Sequence, residues 1–442
     1  MKQKNIIFYF SDQQRWDTIN EEVTPNLCKL AQEGVKFENN FTCQPVCGPA
    51  RACIQTGVYA TQCGCYYNGI PLPNDITPLA HYFNEAGYET AYIGKWHLAS
   101  DRLPGIGLHC EKTAVPKEKQ GEYQYWRAAD VLEFTSHGYD GYVFDGDGNK
   151  IDFKGYRADC INDFALEYLE KNRNKEKPFF MFISQLEPHH QNDHHCYEGY
   201  RETVDKYKDY PLPDDLTFLK GDYKEMYPDY ISAINRLDYN VGRLVDKLKE
   251  LGIYDDTIII YTSDHGSHFK TRNPEYKRSC HESASHTPLI IKGGGFEGGK
   301  KETRLSSLID MPPTLLSMAG IPIPPTYMGV DLTKQINNPD EKRDCVFMQI
   351  SESQCGRAIR TDRFKYAVRS IGITGYVHHT AKPYFEDYLY DLEKDPIEKH
   401  NLIKDPKYAK VREELKYMLI KQMTNAQEEA PVILPAIISR RK

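Results

Sequence analysis

The chain has 442 residues, with 56 Lys and Arg against 63 Asp and Glu, which gives a formal net charge of −7. Its 40% hydrophobic residues can form a large core, and at roughly 150 residues per domain we expect two or three domains or one large one. An acidic chain without a block of Lys and Arg argues against a nucleic-acid binder, because phosphate neutralisation supplies most of the affinity of such proteins. The longest apolar runs, such as residues 6–10, fall far short of the ~20 residues of a membrane span.

The N-terminal residues lead directly into the strand-like segment 6–10, which is too short and too aromatic for the core of a signal peptide. We therefore expect a cytoplasmic protein. In a reducing compartment most of the 12 cysteines should be free thiols that pack as small hydrophobic groups. Five cysteines cluster without paired Cys-x-x-Cys spacing, so a structural zinc site is only a minor alternative: Cys43, Cys47, Cys53, Cys63 and Cys65.

Segments rich in aromatic and β-branched residues alternate with helical stretches, which is typical of an α/β domain with a mostly parallel sheet. The predicted strands are residues 6–10, 90–93, 179–183, 257–262 and 288–292. The predicted helices between them are residues 25–32, 77–85, 156–171 and 230–251. We therefore predict an α/β fold in which a large mixed, mostly parallel sheet is sandwiched by helices across a first domain, residues 1–337.

A proline-rich segment at 322–325 and polar turn residues at 337–343 predict a domain boundary. Beyond it, short strand-like segments at 347–350 and 364–368 and a helical stretch at 408–423 indicate a smaller α+β subdomain, residues 338–442, with a small antiparallel sheet. We expect the apolar tail, residues 431–438, to pack on the rest of the molecule.

Two predicted strands are followed by similar polar residues. Asp12 and Gln13 follow the first strand, and Asp264 and His265 follow the strand at 257–262. Because ligands of open α/β sheets collect beyond the carboxyl ends of the strands, these four side chains could converge on one divalent cation. Alternatively, each Asp caps the turn or helix that follows it.

The segment Cys47-Gly-Pro-Ala-Arg51 carries the second candidate feature. Pro49 lies where a helix could begin, since its missing N–H is not needed in the first turn. A helix N-terminus binds anions, so Cys47 at that end with Arg51 one turn later is suited to a tetrahedral oxyanion. The alternative is a buried thiol in a turn.

This segment, with Thr56-Gly57 behind it, resembles the Cys-x-Pro-x-Arg signature of the type I, formylglycine-dependent sulfatases of the alkaline phosphatase superfamily. Gly94-Lys-Trp-His-Leu98 resembles the second signature of that family. Further segments resemble the family in the same order, so the resemblance covers nearly the whole chain: residues 263–266, 277–291, 310–320, 360–366 and 389–402. It implies the alkaline phosphatase-like fold and a sulfuric ester hydrolase.

The resemblance also implies the chemistry. In this family a formylglycine-generating, or sulfatase-maturing, enzyme oxidises the signature cysteine to formylglycine (3-oxoalanine), whose hydrate attacks sulfur, so Cys47 is expected to be that precursor. Asp12, Gln13, Asp264 and His265, together with residue 47, are implied to hold a divalent cation. Ca²⁺ is expected, with Mn²⁺ or Mg²⁺ as alternatives, because Gln13 and His265 replace the commoner Asp and Asn and lower the negative charge.

The remaining implied catalytic residues are cations and imidazoles. Arg51 is expected to stabilise the ionised hydrate, and Lys95 and Lys277 are expected to neutralise the sulfate oxygens. His97 is implied to hydrogen-bond the hydrate and to accept its proton during release, while His189, with Lys277, is expected to protonate the leaving oxygen.

His189 is chosen from a crowded segment. The proline that the family usually has two residues after this histidine is replaced by Gln191, and His190, His194 and His195 are close by. We predict that His189 faces the leaving group, with His190 as the alternative. His194 and His195 are expected to be ordinary surface residues.

The resemblance leaves the reaction open at one point. Phosphonate monoester and phosphodiester hydrolases share the Cys-Gly-Pro-x-Arg motif and the Asp-Gln and Asp-His pairs, whereas the segment 94–97 favours a sulfatase. A sulfated small molecule or glycan is the expected partner, most of all a sulfated sugar on which aromatic side chains could stack. The candidate pocket residues are Asp101, Arg102, the stretch 123–127, Arg272, Asn273 and His286.

Overall fold

The computed structural model of the protein describes residues 3–102, 107–172 and 176–437. The strands of this part of the chain are β1 (Asn5–Ser11), β2 (Val35–Phe37), β3 (Asn40–Phe41), β4 (Glu89–Lys95), β5 (Tyr125–Ala129), β6 (Ser136–His137), β7 (Asp140–Asp145), β8 (Lys150–Lys154), β9 (Phe179–Ser184), β10 (Thr257–Ser263), β11 (Leu289–Lys292), β12 (Lys300–Glu302), β13 (Ser306–Ser307), β14 (Val346–Ile350), β15 (Gly356–Arg360), β16 (Phe364–Arg369), β17 (Tyr384–Asp391) and β18 (Ile433–Leu434).

The α-helices of the same residues are α1 (Pro25–Glu33), α2 (Cys47–Thr56), α3 (Ala60–Cys63), α4 (Leu79–Glu85), α5 (Leu132–Thr135), α6 (Arg157–Asn172), α7 (Arg201–Val204), α8 (Asp214–Thr217), α9 (Tyr223–Glu250), α10 (Glu282–Ser285), α11 (Met311–Met318), α12 (Leu332–Asn337) and α13 (Ala409–Asn425). Within the described ranges, no helix is long and apolar enough to cross a membrane.

The central sheet contains eleven of these strands in the order β12-β2-β11-β10-β1-β9-β4-β5-β7-β6, with β8 paired to β7. The five middle strands, β10 to β5 in this order, are all parallel. On the two flanks, antiparallel pairs predominate. The large mixed sheet is therefore as predicted, with its parallel pairing concentrated in the middle, where β1, β9 and β10 are buried along almost their whole length.

Helices cover both faces of this sheet. Because successive side chains of a strand point to opposite faces, Ile7 and Tyr9 of β1 pack with α1, α6 and α9, whereas Phe8 and Phe10 pack with α2, α4 and α11. Helix α9 begins seven residues before the predicted start, despite Pro228 inside it. Its additional residues are stabilised by a cluster of buried tyrosines that includes Tyr223 and Tyr227.

The second sheet lies in the C-terminal part of the chain. Strands β14 to β17 are antiparallel, and β18 adds a short parallel strand next to β17. Helix α13 packs on this sheet through Leu415, Leu419 and Met423. The predicted strands 347–350 and 364–368 lie in β14 and β16, and residues 433–434 of the apolar tail form β18, while residue 438 lies outside the described residues. The boundary at residue 337 stays a prediction.

A buried ionic network connects the C-terminal sheet to helix α10. The Lys365 Nζ atom, on β16, lies 2.7 Å from the Glu282 Oε1 atom and 2.7 Å from the Glu398 Oε1 atom. The other carboxylate oxygen of Glu398 accepts a hydrogen bond of 2.8 Å from the backbone N–H of Glu282. Glu282 begins α10, only a few residues after Lys277, so this network also anchors the segment that carries Lys277.

Candidate active site

The carboxyl ends of three parallel strands bring the predicted charged residues together. Ser11 and Ser263, the last residues of β1 and β10, are paired in register, so the following residues, Asp12 and Asp264, lie side by side. Lys95 is the last residue of β4, two strands from β1 in the same sheet. All three charged side chains are fully buried. The convergence of the two acids that the sequence predicts is therefore present.

Helix α2 begins at Cys47, as the sequence predicts. Val46 before it is extended, and Pro49 lies in the first turn, where an N–H would have no helical acceptor. The backbone N–H of Gly48 donates a hydrogen bond of 2.8 Å to Asn68 Oδ1, and a Cβ atom at this position would lie 2.9 Å from the same oxygen. A side chain at position 48 would therefore push the Asn68 amide away from the start of the helix.

The thiol of Cys47 faces the strand ends. Its Sγ atom lies 3.4 Å from Asp12 Oδ1 and 3.3 Å from His265 Nε2, and Lys277 Nζ donates to it at 2.7 Å. Burial, with a further contribution from Asp12, raises the pKa of the Cys47 thiol to about 12, although Lys277 opposes this shift. Because a nucleophilic thiolate needs a lowered pKa, this environment does not favour thiolate chemistry.

One group of buried donor atoms, all within 4.8 Å of one another, has the composition of a cation site: Asp12, Cys47, Asp264 and His265. Asp264 Oδ1 accepts the backbone N–H of His265 at 2.8 Å, but Asp264 Oδ2 has no hydrogen-bond partner among the described residues. His265 Nδ1 lies 3.0 Å from the carbonyl oxygen of Gly266, which leaves the Nε2 lone pair for a metal. Burial and the neighbouring Asp12 raise the pKa of Asp264 to about 7. Its Oδ2 atom lies 3.8 Å from Arg51 Nη2 but accepts no hydrogen bond from the part of the chain that the structure describes, so a divalent cation would fit beside it.

Gln13 lies at the edge of the same group. Its backbone has a positive φ of 71°, and its Nε2 atom donates to the hydroxyl oxygens of Tyr197 at 2.7 Å and Ser267 at 3.2 Å. These two bonds orient the amide, so its carbonyl oxygen is the atom left to ligate a cation. The backbone N–H of Gln13 donates to Asp264 Oδ1 at 2.9 Å, so the residue is adjacent to the group, and its role as a ligand stays a prediction.

Two cations surround Asp12. Arg51 Nη2 donates to Asp12 Oδ2 at 3.0 Å, and Lys95 Nζ lies 2.9 Å from the same oxygen. Burial alone would raise the pKa of the Asp12 carboxyl, but the surrounding cations, Lys95 foremost, hold it well below its usual range. Lys95 Nζ also lies 3.1 Å from Glu133 Oε1, a contact that the sequence did not indicate.

His97 lies two residues beyond β4 in a left-handed conformation, with φ of 61°. Its backbone N–H donates to the carbonyl oxygen of Asp130 at 2.7 Å. The Asp130 carboxylate accepts the next three backbone N–H groups, those of Leu98, Ala99 and Ser100. Burial and the nearby Lys95 lower the pKa of His97 well below its usual value, so its imidazole is neutral.

The structure distinguishes between His189 and His190. His189 Nε2 lies 3.0 Å from Lys277 Nζ, and burial together with Lys277 lowers the pKa of His189 well below its usual value. His190 instead stacks on the ring of Tyr276, with 4.2 Å between the ring centroids. His189 is therefore the imidazole that faces the cavity beside Cys47.

The site opens into a cavity of about 190 Å³. Gln13, Cys47, His97, His189 and Lys277 line it, whereas the other predicted site residues are 0 to 1% exposed and lie deeper: Asp12, Arg51, Lys95, Asp264 and His265. The sequence did not indicate several further lining residues, which come from segments far apart in the chain, helix α5 among them, and carry no shared motif: Asn68, Glu133, Phe134, Asn192, Tyr276 and Arg278.

The structure corrects most of the predicted pocket residues. Arg102 lines the cavity, but Arg272 and His286 do not. Arg272 donates to the carbonyl oxygens of Ile397 and Glu398, and His286 stacks on Trp16. Asp101, Asn273 and the stretch 123–127 are also absent from the cavity lining, and most of that stretch belongs to β5. These side chains support the fold because their polar and aromatic groups are used in internal contacts.

The clustered cysteines show no zinc site. Within the described ranges, the one group of potential metal ligands that includes a cysteine is the group of Cys47. The other four thiols are buried in the core that contains α2: Cys43, Cys53, Cys63 and Cys65. They pack as small hydrophobic groups.

Comparison with known proteins identifies two family models and several sulfatases to which the chain is similar. The Sulfatase family model matches residues 4–321, and a model described as N-sulphoglucosamine sulphohydrolase, C-terminal, matches residues 275–425. An ulvan-active sulfatase of Formosa agariphila is 28% identical, over 96% of this chain and 82% of its own. An N-acetylglucosamine-6-O-sulfatase of Bacteroides thetaiotaomicron is 26% identical, over 97% of this chain and 88% of its own.

Solved structures share the fold. A protein in complex with its substrate D-glucosamine-2-N,6-O-disulfate superimposes with a TM-score of 0.82 at 25% identity, covering 97% of this chain and 99% of that one. A phosphonate monoester hydrolase from Silicibacter pomeroyi has a TM-score of 0.69 at 22% identity, covering 97% of each chain, and shares the fold alone.

The sulfatase model covers well over half of the chain, and the chain belongs to the sulfatase family. It is a sulfuric ester hydrolase with the alkaline phosphatase-like fold of that family. The predicted family, fold class and enzyme class are thereby confirmed.

Proposed function

We propose that the protein hydrolyses a sulfate ester on a carbohydrate. The reaction would use a formylglycine that is formed from Cys47, together with a divalent cation bound beside it. The observation that carries this proposal is the position of Cys47 Sγ, at the start of α2 and in contact with Asp12, His265 and Lys277. Relatives named for ulvan and N-acetylglucosamine sulfates, and a structural neighbour bound to a glucosamine disulfate, support a sugar as the alcohol.

The two groups that the family uses have fitting surroundings in this chain. A hydrated formylglycine at position 47 would supply two hydroxyl groups on one carbon, the first to attack sulfur and the second to release sulfate. A divalent cation would supply Lewis-acid stabilisation of a sulfate oxygen, and Asp12, Gln13, Asp264 and His265 would hold it. Ca²⁺ is our proposal for the ion, with Mn²⁺ and Mg²⁺ as alternatives, because an imidazole and an amide reduce the charge of the site.

The cationic side chains would stabilise the developing charge. Lys277 contacts the Sγ atom of Cys47, the position of the nucleophile. Lys95 and Arg51 lie one residue further away, because both contact the carboxylate of Asp12. In a water-poor site, fixed positive groups of this kind stabilise a transition state more than they do in water. A net charge of −7 for the chain therefore does not prevent binding of an anionic ester.

Two neutral imidazoles are available for proton transfer. The Lys277 ammonium donates to His189 Nε2, so the pair holds a proton beside the cavity that can pass to the leaving oxygen of the alcohol. His97 has a buried Nδ1 atom without a hydrogen-bond partner among the described residues. It is therefore free to accept a proton in the step that releases sulfate.

The test combines mass spectrometry with a substrate panel. The protein is produced with and without a sulfatase-maturing enzyme, and the peptide that contains residue 47 is measured for the mass loss of thiol-to-aldehyde conversion. We expect hydrolysis of sulfated mono- and disaccharides to rise with the converted fraction. Equal turnover by protein with an unmodified thiol would contradict the mechanism, and preferential turnover of phosphodiesters would contradict the reaction.

A second experiment addresses the cation. Dialysis against a chelator should abolish sulfatase turnover, and adding Ca²⁺, Mg²⁺ or Mn²⁺ singly should restore it with the ion that the site selects. Full turnover after complete metal removal, checked by elemental analysis, would contradict the proposed cation site.

A further inference from the structure

We propose a second metal site, for a transition-metal ion such as Zn²⁺, at His137, Asp193 and His194, where Asp193 directly follows Asn192 of the cavity lining. One donor atom from each of these residues lies within 4.8 Å of the others, and the group is separate from the group of Cys47. Two imidazoles and a carboxylate are typical ligands of Zn²⁺ and Co²⁺, whereas Ca²⁺ and Mg²⁺ prefer oxygen ligands alone.

The three side chains are already close together. His137 Nε2 lies 2.9 Å from Asp193 Oδ2, and the rings of His137 and His194 stack with 4.1 Å between their centroids and 8° between their planes. All three side chains are about half exposed, at 43%, 59% and 45%, so an ion can enter from solvent and the rings can turn slightly to bind it.

Outer contacts orient two of the ligands before any ion binds. His194 Nδ1 lies 2.7 Å from Glu198 Oε1, so the N–H at Nδ1 donates to this carboxylate and the Nε2 lone pair stays available. Asp193 Oδ1 accepts a hydrogen bond of 2.8 Å from Gln191 Nε2, so Oδ2 is the oxygen that faces His137 Nε2, and an ion would replace the proton that these two atoms share. Carboxylate and amide partners of this kind are what metal sites use to fix the tautomer and the direction of their ligands.

The position of the site suggests what an ion would do there. His137 ends β6, whereas Asp193 and His194 belong to the segment after β9 that also carries His189 and Asn192, both of which line the cavity. Gln191 in that segment also donates to the carbonyl oxygen of Glu133, another lining residue, at 2.9 Å. An ion that joins β6 to this segment would therefore fix one wall of the cavity.

The test is a count of bound Zn²⁺ by equilibrium dialysis, using the full chain already saturated with Ca²⁺. We expect the number of Zn²⁺ ions bound per chain to be higher by one in the wild type than in each of three variants: His137→Gln, Asp193→Asn and His194→Gln. The matched control is His195→Asn, which removes an exposed imidazole of the same segment outside the group. Its φ of 55° is one that Asn tolerates.

A second readout uses Co²⁺ and thermal unfolding. The visible absorption of imidazole-bound Co²⁺ should appear with the wild type and His195→Asn and be absent from the three variants, and Zn²⁺ should raise the Tm of the first two proteins only. Equal Zn²⁺ counts in the wild type and the three variants would overturn the proposal, as would the same loss in His195→Asn. The site does not depend on the sulfatase mechanism, so these results are independent of sulfatase turnover.

Discussion

Two of the buried groups of charged residues, one in the C-terminal sheet and one in the active site, differ in how completely their polar atoms are hydrogen-bonded. In the C-terminal sheet, Arg357 Nε donates to both carboxylate oxygens of Glu428, at 2.8 and 2.9 Å. Its Nη1 donates to the carbonyl oxygen of Gly356 at 2.7 Å, and its Nη2 donates to that of His379. Every nitrogen of this guanidinium therefore has an acceptor inside the protein.

In the active site, by contrast, several buried polar atoms form no hydrogen bond within the described ranges. Six buried polar atoms of the site and its cavity lining have no hydrogen-bond partner among the described residues: Arg51 Nε, His97 Nδ1, Glu133 Oε2, His189 Nδ1, Asp264 Oδ2 and Arg278 Nε. Buried polar groups of native proteins are nearly always bonded, and the exceptions need an explanation, such as an ion or ligand that is not seen. The contrast indicates that the charges of the first group maintain the fold, whereas those of the active site are kept for a cation and a substrate.

The largest effect should come from Cys47→Ala. We expect sulfatase turnover to fall by about 10⁴-fold or more, because this change removes the precursor of the nucleophile. The free energy of unfolding should not decrease, because the buried thiol contacts charged groups rather than filling an apolar cavity. Initial rates and denaturant unfolding measure the two quantities.

The control for this variant is Cys28→Ala, which alters a partly exposed thiol on α1, away from the cavity. It should keep full turnover. Turnover of Cys47→Ala within about 10-fold of the wild type would show that residue 47 is not the source of the nucleophile.

The second effect tests the fully bonded group. Glu428→Gln leaves the 1% exposed Arg357 side chain without its counter-charge, so the free energy of unfolding should fall by about 3–5 kcal/mol. Neither residue lines the cavity, so kcat/KM measured well below the unfolding transition should be unchanged.

Asp152→Asn is the matched control for that variant. It breaks the exposed pair of Lys150 and Asp152, whose side chains are 50% and 71% exposed, and it should cost no more than about 1 kcal/mol. A loss of turnover in folded Glu428→Gln would show that the two groups are not functionally separate.

The third effect tests a single cation of the active site. Lys277→Met removes the ammonium beside Cys47 and His189 while keeping a long apolar side chain. We expect kcat to fall by about 10²–10³-fold, the usual loss when one group that stabilises the transition state is removed. Lys270→Met, in which an exposed lysine paired with Asp222 is lost, should leave kcat unchanged. An effect on KM alone would instead indicate that Lys277 contributes only to ground-state binding.

The sequence predicts the middle of the fold better than its edges. The central strands are continuous apolar runs, so their positions and the residues at their carboxyl ends are visible without a structure. Strands β6 to β8 are short and half exposed, with no distinctive pattern, and they were not predicted. The early start of α9 was also missed, because the tyrosine packing that stabilises it depends on residues far apart in the chain.

A similar limit applies to the site. The residues that follow strand ends, such as Asp12 and Asp264, and the start of α2 at Cys47 could be located from local patterns. Glu133 and Asn68 could not, because nothing in their own segments marks them and only the folded chain places them against Lys95 and Gly48. The choice of His189 over His190 needed the structure because both are adjacent and chemically identical.

The smallest effect concerns a buried carboxylate that has only N–H partners. Asp238 of α9 accepts the backbone N–H groups of Leu27 at 2.7 Å and Asn26 at 3.0 Å and so caps α1, and burial raises its pKa to about 6. The unfolded value is about 3.9, so between about pH 4 and pH 6 the folded chain binds more protons than the unfolded chain. The contribution of Asp238 to stability must therefore decrease as pH rises through this window, by about 3 kcal/mol in total.

Asp238→Asn should remove this pH dependence. Asn has one acceptor oxygen instead of two, so the variant should be less stable than the wild type at pH 4, and the deficit should shrink or reverse by pH 7 because only the wild type then carries a buried charge. Urea unfolding at several pH values measures the difference, and Asp246→Asn, at an exposed position of the same helix, should leave the slope unchanged. A deficit that is constant from pH 4 to pH 7 would mean that Asp238 is as well compensated by its N–H donors as Glu428 is by Arg357.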